Sequence, residues 1–263
     1  MEIKQGGRRN VEKAANASAT NDEGHTAATA ATASREFPFP ELPGKMIVAI
    51  DGWAQTGKNT AGELVAEHLG AVLVDSGRFY RALTKACLDS KVNLSDAEAV
   101  SAWCKDAALD VRLAPEGGAV QEAQVAVNGR WFSKEELKLL GLQVPLVAAV
   151  PMVRNLVNAT LRMCECYGRV VMLGRDIGGV VFPETPYKFF LDATEDVREL
   201  RHFKSTKSSG AKERDIYDAS RVIFTEDSLM IDTSTLEPAE VSGIILVEVF
   251  WRASNPVSDT KSR

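Results

Sequence analysis

Hydrophobic and polar positions alternate between about residues 45 and 253 in a repeated strand–helix order. Short apolar runs predict buried strands at Met46–Ile50, Ala71–Val74, Val170–Leu173, Lys188–Leu191 and Ser228–Asp232. Apolar residues at helical spacing predict helices at Asn59–Leu69, Gly77–Leu88, Asp96–Ala108, Pro151–Tyr167 and Pro238–Arg252. Strands that are apolar throughout and alternate with helices indicate an α/β fold, in which helices cover both faces of a parallel sheet.

A different pattern interrupts this alternation after residue 108. Asp110–Leu113 and Gln124–Val127 predict two short strands, and Asn128-Gly129 is a typical hairpin turn. We therefore expect an antiparallel insert at about residues 110–140. The polar, basic stretch 195–221 predicts a helix, a loop and a second helix.

Polar segments without an apolar period flank the predicted domain. We expect residues 1–44 to form a disordered N-terminal tail and residues 254–263 a flexible C-terminal tail. Arg8 and Arg9 have the basic character of an organelle-targeting segment, but the acidic Glu2 and Glu12 argue against one. The prediction is therefore one domain, at residues 45–253, between two tails.

Composition narrows the function classes. The chain has 263 residues, 45% of them hydrophobic, and a net charge of −5, which does not favour a nucleic-acid-binding surface. No apolar run is long enough to predict a membrane span. The cysteines, including Cys87, Cys164 and Cys166, lack a metal-ligand spacing and indicate buried free thiols in a reducing compartment. We expect a cytoplasmic monomer that binds neither nucleic acid nor a membrane.

The segment 46–60, MIVAIDGWAQTGKNT, carries the strongest chemical signal. A buried strand, a loop ending in Gly57-Lys58 and a following helix form an arrangement that binds phosphate groups. Glycines let backbone N–H groups face an anion, the helix N-terminus adds partial positive charge, and Lys58 adds a full charge. Asn59 occupies the position where the strict pattern has a Ser or Thr to contact Mg²⁺, so an ordinary strand–turn–helix is the alternative.

Four further segments resemble those of bacterial-type cytidylate kinases, in the same order along the chain. Residues 75–83, DSGRFYRAL, resemble D-[TS]-G-x-x-Y-R-A-L, and residues 174–183, GRDIGGVVFP, resemble G-R-D-I-G-T-V-V-F-P. Residues 214–221, RDIYDASR, resemble R-D-x-x-D-x-x-R, and Ile231-Asp232-Thr233 matches the I-D-T that follows. The resemblance spans roughly residues 47–251, and the agreement of four segments in order makes it specific.

The resemblance implies a fold and a reaction. The fold is a P-loop NTPase-like three-layer sandwich with a central parallel sheet, a small NMP-binding insert and a lid at about residues 198–221, here shortened. The reaction transfers the γ-phosphoryl group of ATP to CMP or dCMP, with Mg²⁺ as cofactor. Such a transfer requires positioning and neutralisation of charge rather than covalent catalysis.

The resemblance also assigns residues to roles. The catalytic set is Lys58, Arg175, Arg214 and Arg221. The ATP-binding set is Gly52, Trp53, Ala54, Gln55, Thr56, Gly57, Lys58, Asn59, Thr60, Arg198 and Arg201. The CMP-binding set is Ser76, Arg81, Arg154, Arg175, Asp176, Arg214, Asp218 and Arg221. Thr60 is the candidate contact to Mg²⁺, which is otherwise held by phosphates and water.

Several residues depart from the family pattern and leave alternatives open. Gln55 stands where the loop usually has glycine, Pro145 fills the position of a serine near the base, and residues 222–229 lack a Pro-Leu segment. The altered loop and short lid leave open a degenerate nucleotide-binding module with little turnover. Pro145 leaves open a kinase of another nucleoside monophosphate.

Overall fold

The description of the protein rests on a computed structural model. The structure describes residues 41–114, 118–138, 140, 143–206, 216 and 221–256. The predicted N-terminal tail up to residue 40 and the end of the C-terminal tail from residue 257 lie outside the described residues. So does the predicted lid between residues 207 and 220 except residue 216, and with it Arg214 and Asp218.

The described chain alternates strands and helices as the pattern predicts. In chain order the elements are β1 (Met46–Gly52), α1 (Lys58–Leu69), β2 (Val72–Asp75), α2 (Ser76–Asp89), α3 (Ala97–Lys105), β3 (Leu109–Leu113), β4 (Ala123–Val127), β5 (Arg130–Trp131), α4 (Lys134–Lys138), α5 (Gln143–Ala148), α6 (Pro151–Met163), a 3₁₀ turn (Cys164–Tyr167), β6 (Arg169–Leu173), a π-helical turn (Ile177–Val181), β7 (Tyr187–Asp192), α7 (Glu195–Thr206), β8 (Leu229–Asp232) and α8 (Pro238–Ser254).

The main sheet has five parallel strands in the order β2-β6-β1-β7-β8. In its centre Ile50 of β1 lies opposite Leu173 of β6 and Phe189 of β7. All seven residues of β1 are buried, as expected for a strand with covered faces and a neighbour on each side. The parallel sheet predicted from the apolar runs is confirmed, and the carboxyl ends of its strands share one edge.

Helices pack on both faces of this sheet. Val65 of α1 and Ile245 of α8 belong to the apolar cluster on one face. Leu83 of α2 and Val157 of α6 belong to the cluster on the other. The predicted three-layer α/β sandwich is therefore confirmed. Among the described residues, no helix has both the length and the apolar character needed to cross a membrane.

A separate antiparallel sheet, in the order β3-β4-β5, lies where the pattern predicts an insert. Asn128 and Gly129 have φ of 51° and 76°, the left-handed backbone that a tight hairpin turn requires, so the hairpin prediction is confirmed. Just before β4, the Gln121 carbonyl accepts from the N–H of Leu73 in β2 at 2.8 Å, which connects the insert to the main sheet. The domain limits stay a proposal.

The segment after α6 differs from the prediction. The helix expected to run to Tyr167 ends at Met163 and continues as a 3₁₀ turn, which has three residues per turn instead of 3.6. Cys164 faces inward and is buried, whereas Cys166 is exposed, so the prediction that both lie in the core was wrong for Cys166. All four cysteines are free.

Candidate functional site

One cavity of about 500 Å³ lies at the carboxyl edge of the main sheet. It joins the loop after β1 to the start of α2, to α5 and α6, and to the turn after β6. Its lining is polar and basic on one side and includes Val144, Pro145 and Ala148 on the other. Parallel α/β sheets bind their ligands at this edge, because the loops that follow the strands converge there.

The loop between β1 and α1 wraps around the Lys58 ammonium group. Lys58 is only 7% exposed, and its Nζ donates to the Gly52 carbonyl at 2.9 Å, to the Trp53 carbonyl and to the Thr56 hydroxyl at 3.3 Å. Gly57 has φ of 89° and precedes the first turn of α1. A full positive charge thus lies beside a helix N-terminus, where anions are stabilised.

Gln55 links this loop to α7. Its φ is 62°, a left-handed conformation that costs a residue with a side chain about 1–2 kcal/mol. Its carbonyl accepts from Arg201 at 3.3 Å, and its side-chain amide lies 3.3 Å from Nδ1 of His202. The Arg198 guanidinium is 5.8 Å from the centre of the Trp53 ring. Loop and helix are therefore joined through the two bulky residues of the loop, Trp53 and Gln55.

Asp51, the sixth residue of β1, fixes the turn after β6. Its carboxyl oxygens accept from the backbone N–H groups of Ile177 at 2.9 Å and Gly178 at 2.8 Å. Burial raises the pKa of Asp51 to about 7, although the two amide hydrogen bonds oppose the rise. Asp51 therefore helps shape the π-helical turn that begins directly after Asp176.

Replacing Asp51 with asparagine is expected to reduce the free energy of unfolding by about 1–3 kcal/mol, because one amide loses its acceptor. The loss should depend on pH. The pKa is higher in the folded protein, which therefore keeps a proton that the unfolded chain releases, and wild-type stability falls as pH rises toward 7. The free energy of unfolding of the wild type, relative to the variant, should fall by roughly 2–3 kcal/mol between about pH 5 and pH 7, which removes most of the difference or reverses its sign.

Urea unfolding across this pH range measures the gap directly. The exposed Asp106 provides a matched control, since Asp106→Asn removes a carboxylate without touching the turn. Parallel stability curves for wild type and Asp51→Asn would contradict the assigned burial effect.

Part of the cavity wall holds a cluster of opposite charges around Asp176. Asp176 is buried and forms an ion pair with Arg154 of α6. Burial raises the pKa of Asp176, while the positive charges of Arg154, Arg175 and Arg221 act in the opposite direction. Tyr80 is affected by the charges of Arg154, Asp176 and Arg221, and burial raises its pKa to about 12.

Two further arginines of this cluster are held by backbone carbonyls. Arg175 donates to the Gly52 carbonyl at 2.7 Å, and Arg221 donates to the Pro145 carbonyl at 3.0 Å. The same cavity wall therefore presents three guanidinium groups, those of Arg154, Arg175 and Arg221. A planar guanidinium group can donate two parallel hydrogen bonds to the oxygens of a phosphate group.

Most of the residues predicted from the sequence line this cavity. They are Ala54, Gln55, Thr56, Gly57, Lys58, Asn59, Thr60, Ser76, Arg81, Arg154, Arg175, Asp176 and Arg221. Gly52, Trp53, Arg198 and Arg201 lie outside the lining. Gly52 is covered by β7, since a Cβ there would lie 2.0 Å from the Leu191 carbonyl oxygen.

The structure adds residues that the sequence reasoning left without a role. Tyr80, Asp75 and Lys138 line the cavity, and Asp51 supports its floor. Asp75 and Tyr80 stand within the segment DSGRFYRAL, so the motif itself contained the signal. Asp75 also caps α2 by accepting from the Gly77 N–H at 2.9 Å. Lys138, in the insert, carried no comparable signal.

No cluster of three or more His, Cys, Asp or Glu side chains within the described ranges could hold a metal ion. Both oxygens of Asp51 already accept from backbone amides. The exposed hydroxyl-bearing residue Thr60 lines the cavity two residues after Lys58. Such a site fits an ion that keeps its water and binds through phosphate oxygens, as Mg²⁺ does.

The chain is similar in sequence to a known family of proteins. A family model described as cytidylate kinase matches residues 48–250. The cytidylate kinase of Roseiflexus castenholzii is 34% identical over 227 residues, which cover 80% of this chain and 95% of that protein. The cytidylate kinase of Herpetosiphon aurantiacus is 33% identical over 212 residues, which cover 76% of this chain and 92% of that protein. Among solved structures, a gluconokinase from Sinorhizobium meliloti covers 82% of this chain and 97% of its own, with 14% identity and a TM-score of 0.41.

Proposed function

The chain belongs to the cytidylate kinase family, and from that membership we propose that it transfers the γ-phosphoryl group of ATP to CMP or dCMP. The products are ADP and CDP or dCDP. The observation that carries the proposal is the single cavity in which Lys58 and its loop face the cluster of Arg154, Arg175, Asp176 and Arg221. A donor phosphate and an acceptor phosphate can therefore meet in one cavity.

ATP is assigned to the loop side of the cavity. Residues 52–60 provide backbone N–H groups, a helix N-terminus and the Lys58 ammonium group for the β- and γ-phosphates. We assign Arg198 and Arg201 to the neighbourhood of the ATP base. Their contacts to Trp53, to the Gln55 carbonyl and to Thr233 already tie α7 to the loop.

CMP is assigned to the opposite side. The Asp176 carboxylate can accept from the exocyclic amine of cytosine, with Ser76 and Arg154 beside it. We assign Arg81, Arg175 and Arg221, which line the cavity, to the acceptor phosphate or the group in transfer. We also assign Arg214 to the acceptor phosphate, and Asp218 together with Arg214 to the sugar hydroxyls.

The transfer itself needs little from the protein beyond position and charge. A phosphate oxygen of CMP forms a bond to the γ-phosphorus of ATP as the bond from that phosphorus to the β,γ-bridging oxygen breaks, and the electron pair leaves with ADP. A phosphate monoester loses its second proton at a pKa of about 6, so the attacking oxygen needs no general base at neutral pH. The arginines and Lys58 stabilise the charge that spreads over the transferred group.

Mg²⁺ is proposed as the cofactor, bound to the ATP phosphates with Thr60 and water completing its surroundings. Its chemical contribution is to neutralise charge on the β- and γ-phosphate oxygens. We also propose a monomer that acts in the cytoplasm, with residues 110–140 as the NMP-binding insert and residues 198–221 as the lid.

A coupled assay of ADP release tests this function. With ATP and Mg²⁺ present, CMP and dCMP should each start ADP release, while UMP and AMP in parallel reactions should give markedly slower rates. Fast release with another acceptor would move the assignment to a different monophosphate and direct attention to Pro145, which lines the base side of the cavity. Binding of nucleotide by folded protein without acceptor-dependent release would contradict the proposed transfer.

A further inference from the structure

Gly179, in the middle of the π-helical turn, lies directly beneath the segment 221–225. A Cβ atom at this position would lie 2.7 Å from Cγ2 of Ile223, 3.3 Å from its Cβ and 3.4 Å from Cγ2 of Thr225. The first of these distances is shorter than carbon atoms tolerate without movement. Residues 221–225 therefore pack so close to the turn that position 179 has room only for glycine.

Rotation of a single side chain in residues 221–225 cannot relieve a clash with a side chain at position 179. Ile223 is β-branched, so the atoms that a Cβ would meet lie close to its own backbone and have little rotamer freedom. The Ile223 N–H donates to the Arg175 carbonyl at 2.9 Å, and the Phe224 ring packs edge-on against Phe190 with centroids 5.6 Å apart. A clash with a side chain introduced at position 179 would therefore be relieved by a shift of the backbone of residues 221–225 and not by rotation of one side chain.

The same segment carries a residue of the cavity. Arg221, two residues before Ile223, donates to the Pro145 carbonyl at 3.0 Å and lines the cavity. The backbone bond from Ile223 to Arg175 connects the segment to a second arginine of the cavity wall. A shift of residues 221–225 would therefore displace Arg221 and disturb Arg175 together.

We infer that Gly179 is a positioning residue for the transfer: its missing side chain lets residues 221–225 pack low enough to hold Arg221 at the acceptor phosphate. Two departures from the family pattern coincide here. Gly179 stands where the segment G-R-D-I-G-T-V-V-F-P has threonine, and the stretch 222–229 lacks the Pro-Leu segment. The inference rests on the proposed function, because Arg221 acts on CMP in that proposal.

Restoring the threonine is expected to harm the enzyme rather than help it. Gly179→Thr should lower kcat/KM for CMP by about 10²-fold, in line with the effect of a displacement of about 1 Å on a positioned group. Gly179→Ala, a milder change, should lower it by about tenfold. KM for ATP should stay within about twofold of the wild-type value in both variants, because the displaced Arg221 is assigned to the acceptor phosphate and not to ATP.

Rescue provides the decisive comparison. Ile223→Ala removes Cγ2 of Ile223, the nearest atom that a side chain at position 179 would meet, so the double variant Gly179→Thr/Ile223→Ala should recover most of the lost activity, to within about fivefold of Ile223→Ala alone. Gly243→Ala is the matched control, because a Cβ at Gly243 of α8 meets nothing within 4 Å. Thermal unfolding of every variant shows whether it is folded at the assay temperature.

The outcomes separate this inference from the proposed function. Wild-type protein that neither binds CMP in a calorimetric titration nor forms CDP would overturn the proposed function itself. If the wild type is active, wild-type activity of Gly179→Thr would overturn the positioning role alone. A loss that affects KM for ATP equally, or that Ile223→Ala does not rescue, would also overturn it, since a general structural defect predicts that result.

Discussion

Replacing Lys58 with methionine is expected to lower kcat by about 10²–10³-fold, the loss seen when one preorganised group that stabilises transition-state charge is removed. Methionine keeps much of the length and apolar volume of the lysine side chain, so the packing around this 7% exposed residue should be largely preserved. The lost element is the ammonium group, which contacts the carbonyls of Gly52 and Trp53. Phosphate oxygens carry charge and are stronger acceptors for it than carbonyls are.

Single-turnover measurement of CDP formation is the appropriate test, because it separates the transfer step from product release. The exposed Lys105 on α3 offers a matched control: Lys105→Met removes the same charge far from the cavity and should leave the rate unchanged. A wild-type transfer rate in Lys58→Met would remove Lys58 from the catalytic set.

Replacing Arg154 with leucine is expected to lower kcat/KM for CMP by about 10²-fold or more, because it breaks a largely buried charge pair. Asp176 would then remain buried without its closest positive partner. Burial already raises the pKa of Asp176, and Arg154 is the strongest opposing charge, so its removal raises that pKa further. A larger fraction of Asp176 is then protonated at any given pH and unable to accept from the cytosine amine as a carboxylate.

This reasoning predicts a pH signature. In Arg154→Leu, kcat/KM for CMP should rise with pH over a range in which the wild-type value is nearly constant, because ionisation of Asp176 is restored at higher pH. Asp176→Asn removes the titrating group, and the double variant Arg154→Leu/Asp176→Asn should lose the rise. Persistence of the rise in the double variant would show that another group titrates.

The parts of the fold that depend on local chemistry were predictable. The apolar run of β1, the glycines that bound α1 and the Asn128-Gly129 turn each act within a few residues, and the structure confirms each element. Gln55 stands where the family loop usually has glycine, and in the structure it has φ of 62°, a backbone conformation that glycine adopts without strain. Site residues were predicted from the motifs and their order along the chain, and thirteen of them line one cavity in the structure.

The parts that depend on distant contacts were not predictable. Nothing near Asp51 in the sequence indicates that its carboxylate meets two amides that lie 126 and 127 residues later. The contacts of Gln55 with Arg201 and His202 similarly join residues about 146 positions apart. Cys166 was predicted to be a buried free thiol because the cysteines lack a metal-ligand spacing, but the structure places it exposed in a 3₁₀ turn. In each case the deciding partner belongs to another element or to a change of helical period.

The central claim is transfer of a phosphoryl group between nucleotides, and following phosphorus by NMR during the reaction tests it most directly. With ATP, Mg²⁺ and CMP, the account predicts that the γ-phosphorus signal of ATP declines as the β-phosphorus signal of CDP grows by an equal amount. Growth of inorganic phosphate instead would show hydrolysis without transfer, and an unchanged spectrum from folded protein would show no turnover. Either of these two results would contradict the account.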